Sequence, residues 1–280
     1  MFPTHWLTRG YVYMVDVKLN LRREALKILL LTDAAEKAAA TRQFAEKCRI
    51  DGYTLSREQL SAPDIPGRPV KPQLVNPKDL PRRRNNRETG HNALIHAICH
   101  IEFNAINLAL DAIARFQDMP EDYYADWLQV ADEEAKHFQM LNAHLAENGF
   151  AYGDFPAHDG LWEMAQKTHH DPLLRMALVP RVLEARGLDV TPKMMDKLTQ
   201  SGDHRAVEIL EVILEEEIGH VAVGTRWFNY LCAQRDLDPL STFTELLETH
   251  FHGAIRGPFH LEARQQAGFS EAELNWLAQR

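Results

Sequence analysis

Cysteine is scarce in this chain of 280 residues: Cys48, Cys99 and Cys232 are odd in number, far apart and form no Cys-x-x-Cys pair. This excludes a disulfide framework and a zinc or rubredoxin-type knuckle, and makes a reducing cytoplasm the expected compartment. No run of eighteen apolar residues occurs, so no membrane span is expected. The opening stretch MFPTHWLTRGYVYMVDVKL lacks a long apolar core followed by small residues. That argues against a secretory signal, and residues 1–13 read as a lead. Positive charge is also in short supply: the formal net charge of −9 disfavours a general nucleic-acid binder. The local exception, Arg82 to Arg84, reads as a solvated linker that could at most touch phosphate. Long alternating strand patterns are missing as well.

What is present is helical periodicity, in a composition (45% hydrophobic, 25% charged) that suits a globular chain with a sizeable core. A first amphipathic segment spans about Leu19 to Cys48. SAPDIPGRPVKPQLVNPKDLPRRRNN then places a proline every few residues, which blocks helix and sheet alike and predicts an extended strap. Long helices follow at about Arg87–Gln117, Pro120–Asn148, Pro172–Arg186 and Asp203–Gln234. Asp171-Pro172, Thr191-Pro192 and Asp238-Pro239 read as caps before a first-turn proline, and Gly149, Gly187 and Gly202 as C-terminal glycines. Ser270 with Glu273 predicts a capping box. Thr191–Ser201, Pro239–Phe251 and Gly257–Ala267 look like satellite helices. The expected class is all-α. It comprises a lead and N-terminal helix (1–60), a Pro-rich strap (61–87), a four-helix bundle (88–235) and C-terminal helices packing on it (236–280).

Three Glu-x-x-His matches occur, at Glu88/His91, Glu134/His137 and Glu217/His220. The motif is too short to mean much alone; its placement is informative. Glu88/His91 opens a helix among few apolar residues and reads as surface. Glu134/His137 shares a helical face with Trp127, Val130, Ala131, Phe138 and Leu141, and Glu217/His220 with Leu210, Ile213, Leu214 and Gly224. Each pair is preceded by a long helix with a glutamate in apolar company. Glu102 lies beside Ile95, Ile98, Cys99, Ile106 and Ala109, and Glu184 follows Ala177 and Pro180. The interval is 32 residues from Glu102 to Glu134 and 33 from Glu184 to Glu217. In an antiparallel bundle these six side chains can meet at mid-height. Four carboxylates buried together would be forced to protonate, whereas two divalent cations make the set neutral. Carboxylate and imidazole donors suit a pair of first-row ions.

Through Glu102, Glu134-Ala-Lys-His137, Glu184 and Glu217-Ile-Gly-His220, residues 88–234 resemble the ferritin-like superfamily of di-iron carboxylate proteins. The whole chain, with its Pro-rich strap and its HGAIRGPFHLEAR segment, is similar to the bacterial domain of unknown function 455 family. It bears a more distant likeness to the di-iron tRNA hydroxylases. The resemblance implies a ferritin-like bundle and a metal site of iron, manganese or a mixed Mn/Fe pair. Glu102 and Glu184 would be the more terminal ligands, Glu134 and Glu217 the bridging candidates, and His137 and His220 would complete one site each. It names no substrate.

Other polar residues take plainer readings. Glu133 and Glu216, each one residue from a ligand, read as exposed shoulders. Arg181 or Arg186 could pair with Glu184. His96 and His100 read as helix-surface histidines, His169-His170 as a loop pair, and Tyr123, Tyr124 and Trp127 as aromatic core. Arg256-Gly257-Pro258-Phe259 is either a pocket mouth or a turn. Three functions remain in view. The first is a di-iron oxygenase or oxidase using O2, a small organic substrate and an electron-donor protein, with tRNA as a special case. The second is a ferroxidase or iron-handling protein, and the third a helical adaptor without catalysis.

Overall fold

The computed structural model describes residues 18–81, 87–251 and 255–280. Residues 1–13, the Arg82–Arg84 run and the side chain of Glu88 lie outside them. The described chain is helical apart from a two-residue parallel strand pair, β1 (Leu19–Asn20) on β2 (Tyr53–Thr54), and an isolated bridge between Leu74 and Ala157.

The first amphipathic segment divides into α1 (Leu21–Leu29) and α2 (Ala34–Asp51). Asp33 accepts from the Glu36 N–H and so starts a new helix where the periodicity alone ran on. Next come α3 (Arg87–Arg115), α4 (Glu121–Glu147), α5 (Gly160–Lys167) and α6 (Pro172–Leu178). A π-helical turn, Val179–Glu184, leads directly into α7 (Ala185–Ser201). The chain ends with α8 (His204–Gln234), α9 (Pro239–Phe251), α10 (Leu261–Gln266) and α11 (Glu271–Ala278).

The α3 helix packs along α4, α4 along α8, and α8 along the α6–π–α7 run, while α1 and α2 cover α3 and α4 from outside. A buried ion pair links the two halves: Arg175 on α6 donates to Asp111 on α3 at 2.7 Å. Among the described residues one helix, Thr89–Arg115, is long and apolar enough to cross a membrane, but 78% of its most apolar window is buried inside the protein. It is the central helix of the core.

The helix expected to stop at Arg186 does not stop. Gly187 is not a C-terminal glycine and Thr191-Pro192 is not a cap; both lie inside α7, Pro192 included. Tertiary packing overrides the local signals, because Ala185, Leu188 and Leu198 are buried and Asp189 pairs with Arg264 at 2.8 Å. The other end signals behave as read. Asp171 caps α6, Ser270 and Glu273 form the capping box of α11, and Gly149 and Gly202 adopt φ of 78° and 82°. The satellite helix expected at Gly257–Ala267 begins only at Leu261.

Over residues 61–81 the strap is extended except for one 3-10 turn at Pro77–Asp79, which the prolines did not block, and it is tied down. Arg115 donates to the Pro63 carbonyl, Trp162 to the Asp64 carbonyl, and Val75 and Ala157 are joined by a backbone bond of 2.9 Å. Gly67 passes so close to α1 that a Cβ there would lie 2.2 Å from the Leu30 carbonyl oxygen. Beneath it, the buried Lys37 ammonium donates to the Leu29 and Gly67 carbonyls and to Asn107. Burial pushes its pKa down to about 7.

Candidate metal centre

Glu102 comes from α3, Glu134 and His137 from α4, Glu184 from the last residue of the π turn, and Glu217 and His220 from α8. On α4 and α8 the three-residue spacing sets carboxylate and imidazole on one inward face. Glu184 arrives by a different route. The π turn shifts the phase of the α6–α7 run, and Pro180 within it presses on α8 at Gly224, where a Cβ would lie 2.3 Å from the proline ring. Only glycine lets the two backbones come this near.

Five of the six side chains meet within hydrogen-bonding or near-contact distance, and Glu184 is buried beside them. The ligand atoms of Glu102, Glu134, His137 and Glu217 lie within 4.8 Å of one another. Glu102 Oε2 is 3.3 Å from His137 Nδ1. The two oxygens of Glu134 face different imidazoles: Oε1 is 2.9 Å from His220 Nδ1 and Oε2 is 3.6 Å from His137 Nδ1. Glu217 Oε1 is 3.6 Å from His220 Nδ1. Glu184 is buried, and the charges it feels most are those of Glu217, Glu134, His220 and Glu102. Neither arginine considered as its partner reaches it. Arg181 pairs with Glu273 amid the rings of Phe228, Phe243 and Phe269, and Arg186 turns to Asp189 and the Arg256 and Pro258 carbonyls.

Apart from the His137 Nδ1–Glu102 Oε2 contact, closeness is not hydrogen bonding here. Both oxygens of Glu134, one oxygen each of Glu184 and Glu217, and His220 Nδ1 are buried without a hydrogen-bond partner. Orphaned buried carboxylate oxygens are costly. A concentration of them around one imidazole nitrogen is the pattern that a cation resolves, and this donor set fits a pair of divalent ions. Without one, the groups shift each other strongly. Burial, then Glu134, pushes the Glu102 carboxyl up to about 8. Burial, then Glu217 and Glu134, raises Glu184 well above the carboxylate range. Burial and Glu217 also push Glu134 up, but His220 and His137 outweigh them and leave it lowered.

The far side of each imidazole is held by the opposite helix. His137 Nε2–H donates to Glu216 Oε2 at 2.7 Å, and His220 Nε2–H donates to Glu133 Oε2 at 2.8 Å. Lys136 in turn pairs with Glu216, and Gln129 donates to Glu133. Glu133 and Glu216 are therefore half-buried orienting groups rather than exposed shoulders. With Nε2 protonated, both rings present an Nδ1 lone pair to the centre. In the sequence the only trace was the doubled acid, Glu133-Glu134 and Glu216-Glu217.

Other readings change with burial. His96 and His100 are buried rather than on the helix surface. Gly153 N–H donates to His96 Nε2 at 2.8 Å, and His100 Nδ1 contacts the Tyr152 hydroxyl at 2.9 Å. His91 contacts Asp203, as does His144. Tyr123, Tyr124 and Trp127 are core, and His169-His170 is exposed. Arg256, Gly257 and Phe259 line a cavity of about 300 Å³ that backs onto the π turn at Val182 and Leu183.

A family model described as "Protein of unknown function (DUF455)" matches residues 30–275. A protein of Haemophilus influenzae described as an uncharacterized protein is 46% identical over 263 residues, covering 86% of this chain and 91% of that relative. No solved structure matches.

Proposed function

The chain belongs to the DUF455 family, and from its buried cluster we propose a ferritin-like dinuclear-metal oxidoreductase, most simply a di-iron oxygenase or oxidase acting on an organic substrate. The observation that carries this reading is Glu134: fully buried, with no hydrogen bond to either oxygen, each oxygen aimed at a different imidazole. A carboxylate so placed would hold divalent cations between the two imidazoles. Glu102 with His137 would serve one ion, Glu184 with His220 the other, and Glu217 lies within reach of both groups.

Iron(II) in that position would supply the electrons and the open coordination needed to activate O2, with an electron-donor protein restoring the reduced state. The residues of the chain orient and insulate. Glu216 and Glu133 fix the tautomer of each histidine, and the α3, α4 and α8 core excludes water from the carboxylates. Carboxylates also change binding mode more easily than imidazoles as the charge between them changes. Mn or a mixed Mn/Fe pair satisfies the same donors.

Iron handling is the second reading. The strap over residues 61–81 and the C-terminal helices α9 to α11 are mass that a compact cage subunit would not need, which ranks it second. Aerobic titration of metal-free protein with iron(II) separates the two. An oxygenase or oxidase stops at two irons per chain and thereafter consumes O2 only when a reductant is supplied. A storage protein continues to take up iron and oxidises each addition. Failure to retain any metal would leave the adaptor.

A further inference from the structure

His91 on α3, His144 on α4 and Asp203 at the start of α8 bring two imidazoles and a carboxylate together, with ligand atoms within 4.8 Å of one another. This trio lies apart from the centre described above. His144 is seven residues beyond His137 on the same helix, roughly 10 Å along its axis. Asp203 has two tasks. Its Oδ1 accepts from the Ala206 N–H at 2.9 Å and caps α8, which leaves Oδ2 to face both histidines, His144 Nε2 at 2.8 Å and His91 Nε2 in close contact.

Both rings turn Nε2 toward the one Asp203 oxygen, so a single carboxylate oxygen is the meeting point of two imidazole nitrogens. The other nitrogens are weakly engaged: His91 Nδ1 is 3.5 Å from the Ser201 hydroxyl, which donates to the Leu198 carbonyl, and His144 Nδ1 is buried without a hydrogen-bond partner. Neutral imidazoles with Nε2 unprotonated would present two lone pairs and a carboxylate oxygen to one cation.

We propose that His91, His144 and Asp203 form a separate mononuclear site for a divalent cation of the zinc(II) class, one that staples the start of α3, the end of α4 and the start of α8. Two imidazoles and one carboxylate are a zinc-type donor set. Side-chain exposures of 17% for His91 and 13% for Asp203 leave room for water as a fourth ligand. Coordination bonds of about 2 Å in tetrahedral geometry spread the trio by roughly 0.5–1 Å, a displacement that side-chain torsions absorb.

The test uses zinc alone and a background in which the main centre is disabled. Metal-free Glu134→Ala/Glu217→Ala protein is equilibrated with zinc(II), desalted and assayed for zinc, with circular dichroism as the check on folding. It should keep one zinc per chain and melt at higher temperature with zinc than without. Adding His91→Ala, or Asp203→Asn (which keeps the capping oxygen), should abolish both effects. In the otherwise intact protein, Asp203→Asn should lower total metal by one ion per chain. Zinc content unchanged by His91→Ala and by Asp203→Asn in folded protein overturns the proposal and leaves a hydrogen-bonded triad. Intact protein that holds a single zinc, kept in Glu134→Ala/Glu217→Ala and lost with Asp203→Asn, would speak against the dinuclear reading without touching this one.

Discussion

His137 and Glu216 belong to different helices, α4 and α8, yet the imidazole Nε2–H of one donates to the carboxylate of the other at 2.7 Å. The relation is reciprocal, since His220 on α8 donates to Glu133 on α4 at 2.8 Å. Each Glu-x-x-His helix thus supplies the acid that orients the histidine of its neighbour. His137 holds Glu216 down at about 2, so this acid stays ionised throughout the neutral range.

Removing either orienting acid should weaken the centre without dismantling it. Glu216→Ala and Glu133→Ala are each expected to lower metal affinity by about 10–100-fold, measured by competition with a chromophoric chelator. Glu215→Ala, at an exposed neighbouring position, serves as the control and should leave affinity unchanged. Equal affinities in all three variants would reduce Glu133 and Glu216 to surface decoration.

Two glycines of α8 should respond oppositely to alanine. At Gly224 the new Cβ would overlap Pro180, so Gly224→Ala should cost about 1–3 kcal/mol by overpacking and displace Glu184 with the π turn, lowering metal content. At Gly219 nothing lies within 4 Å, and Gly219→Ala should stabilise by up to about 1 kcal/mol through helix propensity. Chemical denaturation of both variants, with metal analysis, checks the pair. Similar costs at the two sites would contradict the close approach.

The docking of the 150–158 segment on α3 should be acid-labile. Burial lowers His96 to about 4, against an opposing pull from Asp154, while the unfolded chain keeps the ordinary value near 6.5. Between those values the unfolded state binds more protons. Stability is therefore full above about pH 6.5 and falls as pH drops toward 4, by on the order of 2–3 kcal/mol for this group. His100, also lowered to about 4 by burial, titrates alongside it. His96→Gln keeps an acceptor for the Gly153 N–H but cannot titrate, so its stability should fall less over the same range. Parallel urea-denaturation curves at pH 7 and pH 4.5 for wild type and variant would refute this.

The legible parts of this structure were those written at short range along one helix. The Glu-x-x-His spacing, the repeated interval between Glu102–Glu134 and Glu184–Glu217, and the caps at Asp171, Asp238 and Ser270 each depend on residues of one or two turns or on a simple repeat. The illegible parts were set by neighbours across space. Glu133 and Glu216 look like surface acids until α4 and α8 are laid side by side. His96 and His100 look exposed until the loop carrying Tyr152 and Gly153 folds over them. Gly187 and Pro192 carry end signals that packing against α8 and the Asp189–Arg264 pair override. The π turn has no evident signature beyond Pro180.

The central claim concerns two ions held around Glu134, and an anomalous-difference map from crystals of protein purified with its native metals tests it most directly. Two peaks are expected, one beside His137 Nδ1 and one beside His220 Nδ1, with Glu134 between them and both peaks absent in Glu134→Ala. No peak, or a single ion that Glu134 does not touch, would contradict it.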